Sequence, residues 1–115
     1  MLRNFKFDYD MENDSLFLYR AKSKGSVQLG DFILDYNAKK ELVGIEILHA
    51  AKILKKLVQG AVSKRMLSSL EHCKVDVHQS GNLMIVKLHL YIGEKELVAP
   101  INIPSITEQH PLASV

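Results

Sequence analysis

Residues 73–103 read CKVDVHQSGNLMIVKLHLYIGEKELVAPINI, and side-chain chemistry alone sets their register. If Gly81-Asn82 form the centre of a two-residue turn, glycine comes first, as a type II′ turn requires, and Ser80 faces Leu83. Val77 then meets Val86 and Val75 meets Leu88 on one face, while Asp76 meets Lys87 on the other. Moving the turn to Ser80-Gly81 would set Lys74 against Lys87, a like-charge pair that costs stability. A second turn at Gly93-Glu94 sets Leu90 against Leu97, Leu88 against Ala99 and Val86 against Ile101. Both hairpins share one apolar face, so the pattern predicts a three-stranded antiparallel meander over 73–103. Pro100 and Pro104 have no N–H for a ladder, which puts the last strand at an edge or bends it away.

Upstream of the meander the period changes. Ala50, Ile53, Leu54, Leu57, Val58 and Ala61 fall on one helical stripe, with Lys52, Lys55 and Lys56 opposite. Gly60 is the expected breaker, and Ser63 is placed to cap a second stripe of Met66, Leu67 and Leu70. One kinked helix and two separate helices both satisfy this pattern. The first 48 residues return to strand chemistry: Phe5, Phe7 and Tyr9 alternate with Lys6, Asp8 and Asp10, and Leu16-Phe17-Leu18-Tyr19 follows a polar turn. Val27-Gln28-Leu29 and Phe32-Ile33-Leu34-Asp35-Tyr36 flank Gly30, read as a bulge or bend, and Leu42–Leu48 completes four expected strands.

The order strands, helix, strands predicts an α+β fold: an antiparallel β-sheet with one or two helices packed on one face. At 115 residues, 47% hydrophobic and 24% charged, the chain fits one globular domain over 1–104. Its expected divisions are a strand-rich unit at 5–48, a helical segment at 49–72, the meander at 73–103 and a tail at 105–115. Uncharged apolar runs are far shorter than the ~20 residues of a membrane span, and the N-terminus lacks the apolar core of a signal peptide, so a cytoplasmic location is expected. The lone Cys73 excludes an intrachain disulfide and reads as a small hydrophobe where helix gives way to strand.

Net charge is only +2, but it is unevenly spread. Residues 5–36 carry four cations against six carboxylates, while 49–74 carry six cations against Glu71 alone. Lys52, Lys55, Lys56, Lys64 and Arg65 form the candidate basic binding face, able to contact phosphates yet without the Asn and Gln that help read base edges. Its plainer reading is a solvated helix face.

Catalytic signals are sparse. Asp8, Asp10, Glu12 and Asp14 alternate like the start of a Ca²⁺ loop, but Asn13 holds the glycine slot and Tyr19 the bidentate glutamate slot. His49, His72, His78, His89 and His110 show no metal-ligand spacing. Adjacent His72 and Cys73 would point to opposite faces of a strand. Glycine-rich phosphate loops and nucleophile elbows are absent, so no catalytic residue, metal or cofactor is expected. Asp8, Asp35 and Glu46 are the carboxylates left to converge in space.

Three segments carry a family resemblance: Phe7-Asp8-Tyr9-Asp10-Met11-Glu12-Asn13-Asp14-Ser15-Leu16-Phe17-Leu18, then Phe32-Ile33-Leu34-Asp35-Tyr36, then Leu42-Val43-Gly44-Ile45-Glu46-Ile47-Leu48-His49-Ala50. Over residues 5–58 the chain resembles the small prokaryotic family called domain of unknown function 2283. Tyr9, Asp10, Asp14, Leu16, Asp35, Gly44, Ile45, Glu46 and Ile47 match its pattern, while Phe17, Leu18, Asn37 and Lys40 depart from it. The resemblance implies an archaeal or bacterial origin and a strand-rich N-terminal unit, and it supplies no activity. A role in neutralising a small protein partner is a further implication of it.

Physical readings of the matched residues are structural. Mid-strand Gly44 would admit an aromatic ring such as Phe17 or Tyr19. Asp10 and Asp14 would accept N–H groups within their own turn, and Glu46 would pair with Arg20 or a lysine. The resulting expectation is a non-enzymatic module that binds a small protein partner or self-associates as a homodimer through its sheet edges or a helix. The alternative is an antitoxin-like or nucleic-acid-associated regulator using the basic face.

Overall fold

The structure, a computed structural model, describes residues 2–104; the expected tail at 105–115 lies outside the described residues. Its elements are β1 (Leu2–Asp10), β2 (Ser15–Tyr19), β3 (Gly25–Leu29), β4 (Phe32–Tyr36), β5 (Leu42–Leu48), α1 (Ala50–Val58), α2 (Lys64–Ser68), β6 (His72–Ser80), β7 (Leu83–Ile92) and β8 (Lys95–Pro104). The strands form one sheet in the order β3-β4-β5-β2-β1-β6-β7-β8, antiparallel throughout. Among the described residues no helix is long and apolar enough to cross a membrane.

β6, β7 and β8 pair in the register derived from their side chains: Val77 faces Val86, Val75 faces Leu88 and Leu90 faces Leu97. Gly81 and Gly93 have φ of 59° and 60°, and neither Asn82 nor Glu94 shares the positive sign, as type II′ turns demand. β8, with its two prolines, lies at an edge.

The N-terminal block holds five strands where four were expected. Gly30 is neither bulge nor bend: at φ 59° it opens a third two-residue turn, placing Leu29 opposite Phe32 and making β3 and β4 a hairpin.

β1 serves two partners in succession. Leu2–Phe5 pair with β6, and Lys6–Asp10 pair with β2. The sheet therefore parts beside this strand and curls, adding to its ordinary twist. α1 follows directly on β5 and packs against β8. Those strands stand five places apart in the sheet, roughly 24 Å at ~4.8 Å per strand if the sheet were flat. A helix is only about 10–12 Å across, so it reaches both because the sheet bends around it. The expected layer of helices on one open face is thus corrected: the molecule is mostly sheet, with α1 in the hollow. Leu16, Leu18, Ile45, Ile47, Leu54, Leu88 and Leu90 are no more than 1% exposed and belong to one apolar cluster spanning both sheet halves and α1.

The helical segment resolves into two helices. α1 ends when Gln59, not Gly60, takes the left-handed cap at φ 53°. Ala61 consequently leaves the stripe and is exposed. Ser63 caps α2 as expected, its Oγ accepting from the Met66 N–H at 3.1 Å.

Two core changes should have opposite effects. Leu54→Ala removes the fully buried side chain joining α1 to the curled sheet and should cost about 2–5 kcal/mol in urea denaturation. Tyr36 is 2% exposed, its hydroxyl has no hydrogen-bond partner among the described residues, and burial pushes its phenol up to about 12. Tyr36→Phe should therefore be neutral or stabilising in the same assay.

Candidate functional site

The acidic hairpin tip separates its carboxylates instead of gathering them. Asp10 accepts from the Asn13 backbone N–H at 3.2 Å and from Asn13 Nδ2 at 2.7 Å, closing its own turn as expected. Asp14 behaves differently from expectation. Its φ of 51° turns it toward α1, where its carboxylate accepts the Ala51 N–H at 3.0 and 3.1 Å and its backbone carbonyl accepts the Ala50 N–H at 2.9 Å. His49, the residue preceding α1, is itself left-handed and gives no side-chain cap, so a residue 37 positions upstream of Ala51 satisfies the helix start. The Tyr9 hydroxyl donates to Asp14 at 2.6 Å; burial first, then this carboxylate, holds the phenol far above its ordinary range.

The other motif residues meet on the outer face. Gly44 stands opposite both Asp35 and Tyr19 in register. Its missing Cβ makes room for Asp35, not for an aromatic ring: a Cβ there would lie 2.6 Å from Asp35 Oδ2 and 3.1 Å from Asp35 Cβ. Asp35 accepts from Ser26 Oγ at 2.5 Å, tying β3 to β4. Glu46 accepts from Ser15 Oγ at 2.8 Å, a bond between β5 and β2 in place of the expected cation. Asp8 shares this face, but Phe17 stands between it and Glu46, and the Phe17 and Tyr19 rings stack at 4.9 Å. Phe17 thus separates Asp8 from Glu46, while Asp35 and Glu46 are each engaged by a different serine. Among the described residues no group of three His, Cys, Asp or Glu is placed to hold a metal ion.

On the outer face of β6–β8, His72 stacks on Tyr91 at 4.2 Å with Lys74 5.7 Å from the Tyr91 ring centre. His89 Nδ1 lies 2.8 Å from Glu96 Oε2. The His89 bond foremost, then one from Tyr91, holds the Glu96 carboxyl below its ordinary value. His49 meets Asp31 at 3.3 Å, and His110 lies outside the described residues. Cys73 points inward, 1% exposed, and burial pushes its thiol up to about 12, so it is uncharged and inert at neutral pH.

Lys52, Lys55 and Lys56 are exposed on α1, and Lys64 and Arg65 are exposed on α2. Lys55 and Lys56 occupy the last turn of α1, where cations complement the helix dipole. Five intervening residues, 59–63, separate the two groups.

A cavity of about 220 Å³ opens where β1 leaves β2, at the end of the hollow opposite Asp14. Phe5, Leu42, Val75, Val77 and Met84 form its apolar walls, and Arg3, Arg20, Lys40 and Glu41 complete the lining. Neither arginine was singled out as a candidate from the sequence, though a signal existed. Arg3 continues the inward alternation of Phe5, Phe7 and Tyr9, and Arg20 continues that of Leu16 and Leu18.

A family model described as protein of unknown function (DUF2283) matches residues 6–50. The uncharacterized protein MJ0789 of Methanocaldococcus jannaschii is 32% identical over 107 residues, covering 81% of this chain and 79% of that protein. A putative hypoxanthine phosphoribosyltransferase of Methanosarcina mazei is 44% identical over 48 residues, covering 40% of this chain and 39% of that protein. No solved structure matches significantly.

Asp14→Ala removes a helix cap and strands the Tyr9 hydroxyl, so it should cost about 2–4 kcal/mol, against about 1 kcal/mol for Tyr9→Phe, by chemical denaturation. A double variant should cost less than the two single losses together, since both remove the same bond. Carboxyl NMR should find Glu96 titrating below its ordinary 4.5 and returning toward it in His89→Leu. Because the folded value is depressed, its contribution to stability is full above pH 4.5 and disappears as pH falls through the folded value.

Proposed function

Since the chain belongs to the DUF2283 family of proteins of unknown function, we propose that it is a non-enzymatic binding module that self-associates as a homodimer through the open edge of β3. The observation carrying this reading is the contrast between the two sheet edges. β8 is blunted by Pro100 and Pro104 and by the charges of Lys95 and Glu96. β3 reads Gly-Ser-Val-Gln-Leu, with no proline and no charge, and ends on the exposed Leu29; exposed apolar side chains occur on both edges, Val98 on β8 among them, so the contrast rests on proline and charge. Such an edge presents unpaired N–H and C=O groups, and an antiparallel match to its own copy about a two-fold axis is self-complementary.

The absence of catalysis is supported by where the motif carboxylates are spent. Asp10, Asp14, Asp35 and Glu46 each accept hydrogen bonds that hold the fold together. Likeness to the putative hypoxanthine phosphoribosyltransferase over 48 residues transfers no activity to this chain. A five-residue strand buries less than the ~1,200 Å² of a stable interface, so the dimer is weak and concentration-dependent.

Sedimentation velocity over a hundredfold range of protein concentration should show association that Leu29→Lys abolishes without loss of stability. A monomer at every concentration would refute the proposal. If that monomer were also retained on heparin in a salt-dependent way, and lost retention on replacement of Lys52, Lys55 and Lys56, the basic face would be the binding surface instead.

A further inference from the structure

The cavity at the parting of β1 and β2 is built from residues that neither the family motif nor the β3 edge uses. We infer that it is a binding site for a small amphiphilic organic anion, a carboxylate or phosphate ester with a short apolar body, whose head meets Arg3 and Arg20. Four observations carry this. First, the walls are apolar and come from three separate strands and the residue that opens β5: Phe5 on β1, Val75 and Val77 on β6, Met84 on β7, and Leu42. Second, the about 220 Å³ of this half-open cavity corresponds to roughly seven groups of water size at ~30 Å³ each, room for a chain of six or so carbons.

Third, Arg3 and Arg20 fall on the face where alternation along β1 and β2 otherwise places apolar side chains, with Arg3 exposed and Arg20 half-buried. Arg3 faces Val75 across the β1–β6 pairing, and the Arg20 N–H is bonded to the Val43 carbonyl at 2.9 Å, which fixes its backbone at the rim. Fourth, the charge there is unbalanced. Arg3, Arg20 and Lys40 line the cavity against the single carboxylate of Glu41, and none of the three cations is in an ion pair within 4 Å among the described residues. Glu41 is engaged by Asn37 Nδ2 at 2.9 Å. Its carboxyl is held below the ordinary range by that bond first, with Arg20, Lys39 and Arg3 adding to the effect. Two arginines in the lining of an apolar cavity match an anionic head on a short chain, because arginine donates two parallel N–H groups to carboxylate or phosphate.

The test is a titration of the full chain with hexanoate and with hexyl phosphate, followed by amide chemical shifts and calorimetry. Saturable shifts are expected at Phe5, Leu42, Val75, Val77 and Met84. Neutral 1-hexanol should bind about tenfold more weakly or worse, the loss of one charge-assisted contact. The Arg3→Gln, Arg20→Gln variant should lose the preference for anions while keeping its stability, since Arg3 is exposed and neither residue is in the core cluster. Glu41→Gln should tighten both anions by removing the opposing charge. Comparison of the two probes tells which head group is preferred. Absence of saturable binding, equal affinity for hexanol and hexanoate, shifts confined to the exposed lysines of α1, or unaltered binding in the double arginine variant would each overturn the site.

Discussion

Everything in this molecule depends on one strand having two partners. Leu2–Phe5 of β1 belong to the ladder with β6, and Lys6–Asp10 belong to the ladder with β2. Neither pairing runs the length of the strand, so the two halves of the sheet are joined along a diagonal and turn toward each other. The hollow this creates admits α1, lets the helix touch β8, and gathers apolar side chains from Phe5 to Ile103 into one cluster. Hydrophobic burial supplies the driving force, but the change of partner on β1 decides the shape into which that burial is organised.

A curled sheet around a short helix needs its helix held at the correct end, and Asp14 does this. It accepts two N–H groups from the first turn of α1, through its side chain and its main chain, while receiving the Tyr9 hydroxyl. β1, the following turn and α1 are thereby locked in one contact. Similar fastening recurs on the outer face, where Ser26 and Asp35 join β3 to β4, and Ser15 and Glu46 join β2 to β5. Carboxylates that stand out in the linear sequence, Asp14, Asp35 and Glu46, are here acceptors that join strand to helix and strand to strand.

The far end of the hollow has the opposite character. No carboxylate pairs with Arg3 or Arg20 among the described residues, although both line the cavity beside its apolar walls. Arginine stems lie readily along apolar surface with the charged head kept in water, and here that leaves two cationic heads at the lining of the cavity. The contrast between the fastened end at Asp14 and the cationic end at Arg3 gives the molecule a polarity that its small net charge conceals.

Much of the fold was legible in the residues. The register of 73–103 followed from two glycine-led turns and the avoidance of Lys74 against Lys87, and Ser63 announced the start of α2. The same glycine signal stands at Gly30-Asp31, but the short flanking runs read equally as one strand with a bulge or bend, and only the pairing shows a hairpin. The site was far less legible. Asp14 caps a helix across 37 positions and Glu46 bonds Ser15 across 31, and Arg3 and Arg20 meet at one cavity only because β1 changes partner. The sequence by itself determined the strands, their turns, the proline-blunted edge and the helical stripe, because period and turn chemistry act between near neighbours. Only the tertiary structure decided the curl, the role of Asp14, the partner of Gly44 and the cationic cavity, because these arise from contacts between distant segments whose geometry no local pattern contains.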